Sequence, residues 1–185
     1  MSVASADEFW TFSSTTYGKS GVQAACLALQ DRLGADINLL LFCLWWSLSG
    51  GPALDTDCFA AVLTKARGWQ DGVVRPIRAA RRTAKPGGAI GEDEGATAFY
   101  QRVLATELEA ERMEQKLIVS TAAAEASKLP ARLSTIEAVL RIHLAQYVAT
   151  LDTPVRQEDR ADLETIIAAG CQGLSAAGIV EAIWP

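Results

Sequence analysis

The stretch INLLLFCLWWSL, residues 37–48, decides the fold. Leucines, aromatic rings and a cysteine fall on every side of a helical projection, and only Asn38 and Ser47 interrupt them. A helix with no polar side has to be covered by other helices. The run is well short of the roughly 20 apolar residues that a membrane crossing needs, so it is predicted to be the buried central helix of a bundle. Asp36 stands where an N-cap would accept the first free backbone amides. Gly50, Gly51 and Pro52 end the run.

Outward from this hub, helical spacing continues in both directions. Upstream, Ser20 with Gln23 three residues on has the form of a capping box, and Val22, Cys26, Leu29 and Leu33 follow on one face until Gly34. Before that, Asp7 is predicted to cap a short helix that carries Phe9, Trp10 and Phe12 and ends near Tyr17 and Gly18. Downstream, Asp55 opens a helix with Phe59, Val62, Leu63 and Ala66. A fifth helix carries VVRPIRAARRTAK, with Pro76 tolerated in its first turn. Residues 84–95 hold Pro86, Gly87, Gly88, Gly91 and an acidic run, the composition of an exposed, mobile linker.

One long helical pattern then runs over residues 96–128 without Gly or Pro, ending at Leu129 and Pro130. Ser134 with Glu137 suggests another capping box before a helix through Thr150, and two further helical stretches cover about 154–169 and 174–184. No segment alternates with period two, so no strand is expected. The expected fold is all-α, a helical bundle around a buried apolar central helix. Residues 1–128 form the main helical domain, and 131–185 a C-terminal helical extension packed on the same body.

Half of the 185 residues are hydrophobic and 21% are charged, which is globular composition. The formal net charge of -5 makes nucleic acid an unfavourable partner, because phosphate binding needs a cationic surface. The N-terminal segment carries Asp7 and Glu8 where a signal peptide carries positive charge, so a cytoplasmic protein with no membrane insertion is expected. Cys26, Cys43, Cys58 and Cys171 lack the close pairing of a zinc site and read as buried, reduced thiols.

The segments GVQAACLALQDRLGADINLLLFCLWW, GWQDGVVRPIRAARR and ATELEAERME resemble a family of small proteobacterial proteins, domain of unknown function 2390. The likeness spans about residues 8–128 and is most specific from Gln30 to Leu41. It implies a helical fold and a bacterial origin, and carries over no activity, cofactor or catalytic residue.

Three polar groupings compete for function. Arg75, Arg78, Arg81, Arg82 and Lys85 fall on one arc of the fifth helix, beside an arc of Val73, Ile77, Ala80 and Ala84. Glu107, Glu111 and Glu114 recur at i, i+4 and i+7 on the long helix, next to its apolar face, where an unpaired charge is costly. The two sets either clamp the helices together or leave the arginines to bind an anion or an acidic partner. Gln30, Asp31, Asp36 and Asn38 cluster at the turn before the central helix, either satisfying backbone groups or lining a polar pocket beside Trp45 or Trp46.

Metal and cofactor chemistry find no support. Glu111 and Glu114 have di-iron spacing without the histidines, and the glycines near 87–91 lack the strand, lysine and hydroxyl of a phosphate loop. The single histidine, His143, falls on an apolar face with Ile136, Val139, Leu140 and Tyr147 and reads as a core residue. The leading expectation is a non-enzymatic adaptor docking on another protein; the alternative is a small-molecule-binding protein or enzyme with its pocket at the Gln30–Asn38 turn.

Overall fold

A computed structural model of the protein describes residues 5–88, 91, 93–130 and 134–184. Helix accounts for 76% of the chain, in nine α-helices among the described residues: α1 (Ala6–Tyr17), α2 (Val22–Leu33), α3 (Ile37–Leu48), α4 (Thr56–Trp69), α5 (Arg75–Thr83), α6 (Glu94–Ala126), α7 (Ile136–Val148), α8 (Gln157–Gly170) and α9 (Ala176–Ile183). No strand occurs among them, and Gly88 and Gly91 form an isolated bridge inside the expected linker, part of which lies outside the described residues. No described helix is long and apolar enough to cross a membrane.

Helix α3 is the hub that its composition requires. Every residue from Leu39 to Ser47 is buried, and α1, α6, α7 and α8 pack around it. Phe42 is fully enclosed, with the Phe9 ring edge-on at 6.0 Å and the Trp46 ring at 5.4 Å. Trp45 stacks on Phe9 at 5.0 Å, and Trp46 donates its indole N–H to the Pro52 carbonyl. One continuous core runs from Phe9 in α1 to Ile183 in α9, so the C-terminal helices bury their apolar faces against the same interior.

The caps explain where the elements begin, and three differ from the sequence reading. Asp36 caps α3 as expected, accepting the Asn38 and Leu39 amides, and Asp55 likewise caps α4. Helix α1 is capped by Ser5, not Asp7: the Ser5 hydroxyl and the Glu8 carboxylate exchange bonds with each other's backbone amides, which satisfies two free donors at once. Helix α2 starts after Gly21 at φ +81°, a left-handed conformation that leaves Ser20 outside the helix and unable to cap it. Thr135, one residue beyond the expected Ser134, caps α7. Gly34 ends α2 at φ +65°, its amide bonded to the Gln30 carbonyl and the next amide, Ala35, to that of Leu29, an αL closure that turns the chain directly into α3.

The largest departure lies between α4 and α5. No break follows Trp69; the helix continues through a π-helical turn, Gln70–Val74, before Pro76 enters at the start of α5. The wider turn lets two successive residues address α6: Trp69 donates to the Ala110 carbonyl and Gln70 to the Glu114 carboxyl. From Gln70 the register carries Val74, Arg78 and Arg81 toward α6 at helical intervals.

All four cysteines are free and buried. His143 is also buried, stacked flat on Phe59 at 5.2 Å, and its Nε2 accepts the Leu54 amide. Burial pushes its pKa down to about 4. The ring is therefore neutral and carries its proton on Nδ1.

Candidate functional site

The two charged helix faces meet at the α5–α6 contact. Arg78 donates from Nε to Glu107 at 2.8 Å and from Nη2 to Glu111 at 2.6 Å, while Arg81 binds the other oxygen of Glu107. These side chains are mostly shielded, Arg78 at 15% and Glu107 at 5% exposure. Burial would raise the Glu107 carboxyl, but the hydrogen bonds and charges of Arg81 and Arg78 outweigh it and hold Glu107 below its usual range. Glu111 has less compensation: burial pushes it up against the opposing pull of Arg78.

The basic arc is therefore not one surface. Arg75 lies out in solvent with Asp71, Arg82 pairs across 3.4 Å with Asp31, and Lys85 is exposed. The carboxylate triplet also divides. Glu114 turns away from the arginines into the interior, where Asn38 Nδ2 and Gln70 Nε2 both donate to its Oε2, at 2.7 and 2.8 Å.

Beside Glu114 lies the buried carboxylate of Asp36. Burial raises both carboxyls; Asp36 is opposed by a hydrogen bond with Glu114 and by the α3 amides, whereas the Asp36 charge pushes Glu114 further up, to about 10. Two carboxyls in one dry site share a single proton, as like charges cannot both ionise there. The proton is held on Glu114, and Glu114 Oε1 and Asp36 Oδ2 are the two buried carboxyl oxygens with no other partner, so a bond from one to the other would satisfy both. The Asp36 backbone is also held: the Tyr147 hydroxyl accepts its N–H at 2.6 Å and donates to its carbonyl at 2.9 Å.

This protonation state fixes the amides above it. Glu114 Oε2 can only accept, so Asn38 must present Nδ2 to it and Oδ1 to Gln115, whose Nε2 donates at 2.8 Å. The carbonyl oxygen of Gln115 is left buried without a partner, and so is the Ser13 hydroxyl on α1.

Both line a half-open cavity of about 560 Å³ between α1, α2, α3, α5, α6 and the π turn. Gln30, Asn38, Gln70, Arg78, Arg81 and Glu111 contribute polar wall, with Trp10, Tyr17 and Leu104 on the apolar side. Leu27 and Leu108 also border it, at 45% and 47% exposure. Of the turn cluster, Gln30 and Asn38 reach the cavity, Asp36 lies beneath it as the α3 cap, and Asp31 faces outward. The aromatic wall comes from α1 and not from Trp45 or Trp46, which the core absorbs. Among the described residues no group of side chains is placed to hold a metal ion.

Sequence comparison covers much of this geometry. The model of a family described as protein of unknown function DUF2390 matches residues 8–118. The chain belongs to the DUF2390 family. No curated protein and no solved structure matches it. The DUF2390 span contains every side chain named at the cavity, while Tyr147, which holds the Asp36 backbone at the start of α3, and His143, which holds the Leu54 amide ahead of α4, lie beyond it.

The charge clamp in this DUF2390 chain predicts a coupled pair. Arg78→Ala and Glu111→Ala should each lower the unfolding free energy, by about 2 kcal/mol, since each leaves a shielded opposite charge uncompensated. The double variant should fall short of the sum by about 1 kcal/mol or more in urea denaturation. Additive losses would mean that the two side chains do not depend on each other.

Proposed function

We propose that the protein binds a small organic ligand in the cavity between α1, α2, α5 and α6. The observation that carries this reading is a cavity of ligand size, about 560 Å³, whose wall holds two buried polar atoms without partners, Ser13 Oγ and Gln115 Oε1. Buried polar groups are satisfied in the great majority of cases, and binding sites combine an apolar wall with a few convergent polar groups. A cytoplasmic setting accords with four cysteines that are all free.

A thermal-shift screen of small metabolites tests the reading when wild type is run beside Leu104→Trp. Leu104 is a half-buried wall residue, so the larger ring fills cavity space without entering the core. At least one metabolite should raise the wild-type melting temperature by several degrees and leave the variant unmoved. Shifts of equal size in both proteins, or none in the wild type, would count against the cavity.

Docking on a protein partner through the basic helix is the second reading. It retains Arg75, Arg82 and Lys85, whose exposure favours it, but loses Arg78 and Arg81 to the glutamates. Charge reversal at those three exposed positions should abolish capture of such a partner while sparing stability.

A further inference from the structure

The unpartnered atoms of the cavity have a chemical sign. The carboxyl beneath the floor orients Asn38, Asn38 orients Gln115, and the group presented at the end of this relay is the Gln115 carbonyl, an acceptor only. One helical turn before it on α6 is Glu111, whose Oε1 binds Arg78 and whose other oxygen has no partner among the described residues. Ser13 on α1, 5% exposed, adds a hydroxyl that makes no bond of its own. Two acceptor-only oxygens, with a hydroxyl free to accept beside them, are what this corner of the wall offers.

The charges agree with the hydrogen-bonding sign. Arg78 and Arg81 are balanced by Glu107 and Glu111, and Arg112, which lies over the Trp10 ring at 5.7 Å, is balanced by Asp7. The Asp36–Glu114 pair beneath, with one proton between two carboxyls, adds a single negative charge. An anionic ligand would have to displace glutamates from both arginines and approach that buried charge. A cation meets no such barrier, and the aromatic side chains of Trp10 and Tyr17 suit an apolar body behind it.

We propose that the cavity takes an organic cation, an amine on an aromatic or aliphatic body, whose ammonium donates to the Gln115 carbonyl, the Ser13 hydroxyl and the free oxygen of Glu111. This assignment rests on the cavity being a binding site and adds the class of ligand.

Three probes of nearly equal shape decide it: tryptamine, tryptophol and indole-3-propanoate, which carry an ammonium, a hydroxyl and a carboxylate on the same side chain. Titrated calorimetrically into the full chain, tryptamine should bind at least about tenfold more tightly than either companion, the size of a charge-assisted bond. Ser13→Ala should leave the melting temperature unchanged, because the hydroxyl has no partner in the protein, and weaken tryptamine by about fivefold, the value of one hydrogen bond. Glu111→Gln should reverse the preference toward indole-3-propanoate by freeing Arg78, an effect that a purely structural role of Glu111 would not produce.

Failure of tryptamine to bind, equal affinity for tryptophol, or preference of the wild type for the carboxylate would overturn the assignment. The broader cavity reading is judged separately. A carboxylate that binds wild type but not Leu104→Trp would refute the cationic class and leave the cavity as a binding site. Metabolite shifts indifferent to Leu104→Trp would remove both.

Discussion

Phe42→Ala is expected to lower the free energy of unfolding by about 3–5 kcal/mol, seen as a fall in the denaturant midpoint with the m-value unchanged. The side chain is 0% exposed at the middle of α3, with Phe9, Trp45 and Trp46 rings within 6.5 Å of its own. Those neighbours come from the hub helix and from α1, and each is held by further packing, so the space left by the ring has little freedom to close. A domain of this size is stable by about 5–15 kcal/mol in all, and a loss of that size would leave a measurable unfolded fraction on modest warming. Leu41→Ala, one position earlier, should fall at the lower end of the range, about 2 kcal/mol, because Leu41 also faces the cavity and its truncation extends a space already present. Equal losses at the two positions would mean that the cavity wall is as tightly packed as the core.

The central helix was legible because composition alone forces its burial: no helix with Leu, Phe and Trp on every side has an alternative in water. The arginine and glutamate clamp was legible for a related reason, since charges that border apolar faces on two helices need each other. What escaped the sequence was depth. Glu114 shares a helical face with Glu107 by spacing, yet α6 runs for 33 residues, about 50 Å, and passes from the edge of the bundle to beneath α3. Residues two turns apart on one face therefore meet different neighbours. Gln70 escaped because a π turn carries no sequence signature comparable to a proline or a capping box. Ser13 escaped for want of any local pattern. Its role comes from α1 closing over α6, a contact between segments about a hundred residues apart.

The capping boxes teach a narrower lesson. Ser20 with Gln23 and Ser134 with Glu137 have the right residues at the right spacing, and neither pair caps a helix. A competing local preference displaced each, a left-handed glycine in the first instance and a threonine one residue on in the second. Ser5 with Glu8 succeeds where nothing competes. Such motifs indicate that a helix begins nearby, and the backbone conformation available at adjacent residues selects which side chain caps it.

Glu114→Gln is expected to make the protein more stable than wild type in mild alkali, by about 5 kcal/mol near pH 8.5, four pH units above the ordinary carboxyl value at about 1.4 kcal/mol each. In the wild type, burial and the Asp36 charge push Glu114 up to about 10 from an ordinary value of 4.5. Between those values the folded protein holds a proton that the unfolded chain has released, so stability falls as pH rises, by up to about 1.4 kcal/mol per pH unit. His143 works in the opposite sense. Its folded value of about 4 lies below the ordinary 6.5, so between these the unfolded chain binds the extra proton and stability rises with pH. The two slopes oppose each other from about pH 4.5 to 6.5, and above 6.5 the His143 contribution is complete, so the alkaline decline of Glu114 emerges. Glutamine at 114 keeps every bond: its Oε1 accepts from Asn38 and Gln70, and its Nε2 donates to Asp36 as the shared proton did. Its protonation no longer depends on pH, so the alkaline decline should disappear and the acid decline of His143, hidden in the wild type, should emerge below pH 6.5. Chemical denaturation at half-unit pH steps reads both limbs in one series. Persistence of the wild-type alkaline slope in the variant would place the titrating proton elsewhere and, with it, remove the reason for the orientation of Asn38 and Gln115.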